Sequence, residues 1–182
     1  DVLRKTEKAL LIKVNRIEAV NGHNKDYDNL WNKISNTPFT NLEKKLGRKL
    51  IISRGSMGYL LSMEKIFSNV KNNYVCIFDD DILINKDLSI EKITEILVNF
   101  SDFNILKFGS SQWTWNFDNQ NFHDNFYNSN ELSNGSFACI YNPITVKNIL
   151  QKIRNFNEPF DFSPLRQFID NKSYVIYPNQ II

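Results

Sequence analysis

Tyr74–Asn85 reads YVCIFDDDILIN. The run from Tyr74 to Asp79 is continuous, aromatic and β-branched, the composition of a strand buried on both faces. It ends in three consecutive aspartates, and Ile82-Leu83-Ile84 then restores apolar character. Adjacent carboxylates repel one another and resist burial. The acids are therefore pinned between two core segments, at the carboxyl end of a strand.

Working outward, short strands alternate with helices. Residues 2–12 read as a helix, and Lys13–Val20 (KVNRIEAV) and Lys49–Ser53 (KLIIS) as short strands. The polar stretch between them, broken by Pro38, reads as loop with a helical turn near Tyr27–Ile34. Gly55-Ser56 opens a helix to about Asn69, with Met57, Leu60, Leu61 and Phe67 on one face. Ser89 caps a helix to about Phe100, followed by strand Asn104–Gly109. Ser136–Asn142 reads as a strand and Ile144–Ile153 as a helix. Ser163-Pro164 is an N-cap pair for a short helix, and Ser173–Pro178 is a closing strand. This order predicts an α/β fold with a mixed, mostly parallel central sheet, in a single domain over residues 1–182. The segment from Ser110 to Asn134, rich in aromatics and amides, is too long for a neutral connection and reads as functional.

The 182 residues suffice for one domain with a core. A net charge of +2 and the lack of a Lys/Arg stripe interleaved with aromatics argue against nucleic-acid binding. No apolar run approaches the ~18 residues of a membrane span. The 26 Asn against 3 Ala reflect AT-rich coding. With 14 Ser and 6 Thr, about three N-x-S/T sequons arise by chance, so those at Asn99, Asn134 and Asn171 say nothing of secretion. A cytoplasmic location, bacterial or in a viral factory, is expected over a secretory lumen. Cys76 and Cys139 read as buried free thiols.

In open α/β sheets ligands bind at the carboxyl ends of strands. If the strand continues past Asp79, then Asp79 and Asp81 project to one side and Asp80 to the other. Two hard oxygen ligands suit Mn²⁺ or Mg²⁺, with waters and phosphates completing the shell, and the cation would relieve the repulsion. The structural alternative is a solvated strand end whose acids cap a turn.

The ordered pieces NRIEAVNG, SRGSMGYLLSMEKIF, YVCIFDDDILIN, SFACIYNPITVKNIL, EPFDF and YVIYPNQ resemble glycosyltransferase family 25, the lipopolysaccharide-type and procollagen galactosyltransferases, over about Asn15 to Gln180. The resemblance implies a single Rossmann-like GT-A domain and inverting, Mn²⁺-dependent transfer of a sugar, often galactose, from a UDP-sugar to a glycan or protein acceptor. It implies that Asp79 and Asp81 hold the metal and contact the donor ribose, with Asp79 where the family has Glu and Asp80 matching its next aspartate. It implies that Arg16, Ala19, Val20 and Gly22, which match R-x-x-A-V-x-G, line the nucleotide. Asp161 in EPFDF matches the P-x-D aspartate and is assigned the role of base on the acceptor; its alternatives are a metal or acceptor ligand, or a helix cap. The alternative for Arg16 is a surface salt bridge. Ser62-Met63 stands where the family has Ser-His, and the family's usual first strand, of I-N-L-x-x-R character, is expected upstream of Asp1. The competing function is a non-catalytic glycan- or nucleotide-sugar-binding scaffold of the same fold.

Other chemistries lack their residues. His23 and His123 have no second ligand at zinc spacing and read as loop histidines, although His123-Asp124 could border an acceptor site. Trp113 and Trp115 offer one ring to the core and one to a sugar face. No His accompanies Ser56 or Ser62, and SRGSMG lacks the Gly-Lys-Ser/Thr of a P-loop. An aspartate-nucleophile phosphatase would need a small Thr/Gly continuation where Ile82-Leu83-Ile84 stands.

Overall fold

A computed structural model describes residues 4, 7–8, 10, 13–85, 88–100, 102–109, 121–123 (backbone only), 126–128, 135–153, 159–160, 172–176 and 181. It divides into two compact units, each assembled from separate chain segments. The first comprises Asp1–Arg16, Asn72–Thr145 and Arg166–Ile182; the second comprises Ile17–Lys71 and Val146–Leu165.

The first unit contains a six-stranded sheet: β1 (Val75–Phe78), β2 (Ile105–Lys107), β3 (Asn121–His123), β4 (Phe126–Asn128), β5 (Ala138–Tyr141) and β6 (Ser173–Ile176). The spatial order is β1-β5-β2-β6-β4-β3. The sheet is mixed, as expected, but among the described residues it is not mostly parallel: only β2 and β6 pair in parallel, and the other four pairings are antiparallel. The reason is topological. β1, β2 and β6 run the same way, but β5 lies antiparallel between the first two, and the β3–β4 hairpin adds two more antiparallel contacts. That hairpin falls inside the segment read as a long loop. The carboxyl ends of β1, β2 and β6 share one edge of the sheet.

One face of this sheet is apolar and regular. Leu106, Ala138, Ile140, Tyr174, Ile176 and Phe126 pack with Ile93 and Ile96 of helix α4 (Ile90–Asn99) and with Leu10, Phe103 and Phe108. Ser89 caps α4 by accepting the Lys92 N–H at 3.3 Å. Each buried aliphatic side chain here contributes about 1.5–3 kcal/mol. Arg4, Glu7, Lys8 and Leu10 are helical, in keeping with the helix expected over 2–12. Both cysteines are free, as expected; Cys139 is buried, but Cys76 is exposed, because β1 is an outer strand of the sheet.

The second unit holds helices α1 (Asp28–Asn36), α2 (Asn41–Leu46) and α3 (Arg54–Ser68). The sequence reading missed α2, although its signal is local. Thr40 accepts the Glu43 N–H while the Glu43 carboxylate accepts the Thr40 N–H, and Gly47 ends the helix at φ 66°. Helix α3 matches its expected span, and Met57, Leu60, Met63 and Phe67 are buried along it. Phe160 packs against Tyr59 and Phe67 with ring centroids 6.0 and 5.9 Å apart. Helix α5 spans Pro143–Ile153.

Two expected strands do not form. Among the described residues neither 13–20 nor 49–53 enters a ladder, and side chains take their backbone donors instead. The Val14 N–H donates to Glu7 Oε1, the Val20 N–H to Ser62 Oγ and the Leu50 N–H to Glu43 Oε1. Alternation makes a segment eligible for a sheet, but only a neighbouring edge makes it a strand.

Candidate functional site

The acidic triplet follows β1 directly. Phe78 pairs with Ala138, and the next N–H, of Asp79, still donates to Phe137 O at 2.8 Å. The backbone of Asp79 therefore belongs to the ladder, and its side chain is half-buried. Asp80 and Asp81 then form a turn and are exposed. Ile82 returns to the core at 4% exposure, and Ile84 bridges Ile181 in antiparallel fashion. The Ile181 N–H donates to Phe108 O, and the Phe108 N–H to Ala138 O. The turn is thus tied to the sheet on both sides. This is the pinning expected from apolar runs before and after the acids.

The turn changes one detail. The chain leaves the strand after Asp79, so strict alternation does not place Asp81 on the same side as Asp79. Among the described residues, no group of three or more His, Cys, Asp or Glu side chains is arranged to hold a metal. The donor set fits a hard cation held by one or two carboxylates and completed by phosphate oxygens and water. It does not fit an all-protein cage.

Lys107, at the end of β2, escaped the sequence reading. It is 2% exposed, and among the described residues it is the only buried lysine or arginine. It pairs with Cys139, which pairs in turn with Ile77, so the three share one face of the sheet, opposite the face that carries Leu106 and Ile140. A lone lysine inside the apolar run NILKFG was the available signal.

The segment expected to line the nucleotide is divided between structural and exposed roles. Gly22 is buried, and a methyl group there would lie 1.9 Å from the Arg54 carbonyl oxygen. A methyl group at Gly58 would lie 2.6 Å from Val20 O. Ser62 Oγ accepts the Val20 N–H and donates to Gly58 O, each at 2.8 Å. Val20, Gly22, Gly58 and Ser62 thus lock the 20–22 loop onto α3, backbone against backbone. Ala19 is exposed. Arg16 is also exposed and makes no ion pair among the described residues, so the surface salt bridge considered for it does not form there. Met63 is 1% exposed and packs as core.

Arg54 is held by Asp28 at 2.6 Å and lies 5.8 Å from the Trp31 ring centroid. Glu43 is a second ordered charge. Burial pushes its carboxyl up, but the Leu50 and Thr40 N–H groups and Lys49 at 3.7 Å outweigh that and hold it below the usual range. His23 is an exposed loop residue whose N–H donates to Asn21 Oδ1. Asp161, Trp113, Trp115 and the His123 side chain lie outside the described residues, as does the expected helix after Ser163. No helix among the described residues is long and apolar enough to cross a membrane.

No protein-family model matches the chain, and no curated protein matches it in sequence.

Proposed function

We propose that this chain is a metal-dependent glycosyltransferase that uses a nucleotide-diphosphate sugar, of the UDP type implied by the family 25 resemblance, and a glycan or protein acceptor. The observation that carries this reading is the acid turn. Three consecutive aspartates follow β1, with the Asp79 backbone in the ladder, Asp80 and Asp81 exposed on a turn, and Ile82 in the core on the other side.

Asp79 and Asp81 would hold Mn²⁺ or Mg²⁺, and Asp80 would lie beside the donor. The cation, when bound, offsets charge on the departing diphosphate. Asp161 is proposed to take the proton of the acceptor hydroxyl, which pairs with inversion at the sugar carbon. Arg16 and Ala19, both exposed, remain available to a nucleotide. Val20 and Gly22 support the reading in another way, by fixing the loop that carries Ala19. The second reading is a scaffold that binds a glycan or nucleotide-sugar without turnover.

Donor hydrolysis across a panel of nucleotide-sugars with Mn²⁺ decides between them. Turnover of one donor that falls at least 100-fold in Asp81→Asn supports the enzyme. Nucleotide-sugar binding without turnover supports the scaffold.

A further inference from the structure

We propose that Asn21 is a self-modification site: it deamidates through the Gly22 nitrogen when the Val20–Gly22 loop leaves α3, and the clamp on that loop sets the rate. Asn-Gly is the step at which this chemistry meets least steric hindrance, because glycine carries no Cβ beside the attacking nitrogen. Asn21 is exposed, so water reaches its side chain, whereas Gly22 is buried. A methyl group on Gly58 would lie 2.9 Å from the Gly22 nitrogen, and one on Gly22 would lie 1.9 Å from Arg54 O. The nucleophile is therefore inside the backbone contact with α3. Two bonds hold the electrophile. Asn21 Oδ1 accepts the His23 N–H at 2.9 Å, and Asn21 O accepts the Asn24 N–H at 3.0 Å. This turn aims the side-chain carbonyl at the His23 amide, and turning the face of Cγ to the Gly22 nitrogen releases that bond.

In the open loop the Gly22 N–H gives its proton to solvent base and the nitrogen bonds Asn21 Cγ. The Cγ–Nδ2 bond breaks, and ammonia leaves. The cyclic imide then takes up a water. Opening at the Cγ carbonyl gives aspartate with the backbone unchanged. Opening at the backbone carbonyl gives isoaspartate, whose main chain runs through Cβ and is longer by an atom. The clamp has no room for that atom: the Val20 N–H is bound to Ser62 Oγ at 2.8 Å, and Gly22 is pressed against Arg54 and Gly58. Isoaspartate at position 21 is thus an irreversible exit from the clamped state. Opening is a local equilibrium, so the rate follows the population of released loop.

The experiment ages the protein in mildly alkaline buffer and follows Asn21–Gly22 by peptide mapping, which separates it from the sequence's other Asn-Gly step, Asn134–Gly135. Folded wild type, wild type in denaturing urea and folded Ser62→Ala are compared. Folded wild type is expected to react roughly tenfold or more slowly than in urea. Ser62→Ala, which loses both clamp bonds, is expected to react about 5–30-fold faster than folded wild type. Folded wild type at the urea rate, or folded Ser62→Ala at the wild-type rate, overturns the proposal. Should Ser62→Ala fail to fold, the ratio of folded to unfolded wild-type rates decides. A ratio well above the globally unfolded fraction assigns the reaction to local release of the loop; a ratio equal to that fraction assigns it to global unfolding and overturns the proposal. Protein carrying isoaspartate at position 21 should unfold at lower urea than unmodified protein, and an unchanged midpoint overturns the irreversible exit.

Discussion

Ser62 Oγ accepts the backbone N–H of Val20 at 2.8 Å, across 42 residues of chain. The same hydroxyl donates to Gly58 O, so one side chain ties a loop to a helix. Ser62→Ala removes both bonds and leaves a part-buried donor without its acceptor. A loss of about 1–2 kcal/mol is expected in urea unfolding.

The glycines of this contact should be far less tolerant than their neighbour. Gly22→Ala and Gly58→Ala place a methyl group 1.9 and 2.6 Å from backbone oxygens, and neither oxygen can move without shifting its own segment. Each should cost ~3 kcal/mol or more, or abolish soluble expression. Gly55→Ala meets only Ser53 Oγ at 3.5 Å and should be neutral or stabilising by up to ~1 kcal/mol through helix propensity. Thermal unfolding of the three variants side by side checks this ranking.

Glu43 should make stability fall in acid. Its folded-state carboxyl lies below the ordinary value of 4.5, so its contribution is fully present above that value. The contribution is lost as pH falls from there through the lowered folded-state value. Glu43→Gln should cost roughly 1–3 kcal/mol at pH 7 and flatten that part of the stability-against-pH curve. An unchanged acid slope in Glu43→Gln would show that other carboxylates produce it.

Strands and helices with strong local signals were legible in the sequence. The run before Asp79, the Ser89 cap and the apolar spacing of α3 lie where they were expected. The misses have physical reasons. KVNRIEAV alternates like a strand, yet Val20 donates to a side chain because no described edge lies beside it. Strand direction depends on neighbours distant in sequence, so the antiparallel insertion of β5 could not be read from local pattern. In the candidate site, the strand-end position of the acids and their pinning were legible. The turn at Asp80–Asp81 and the burial of Lys107 were not, since both depend on how β1, β2 and β5 align.

The most direct measurement is the paramagnetic resonance signal of free Mn²⁺ titrated with protein and UDP. The account predicts that wild type removes the free-ion signal when UDP is present, and that the doubly substituted Asp79→Asn, Asp81→Asn protein, folded, leaves at least tenfold more ion free. A wild-type protein that leaves Mn²⁺ free at millimolar UDP, or a double variant that captures as much ion as wild type, would contradict it.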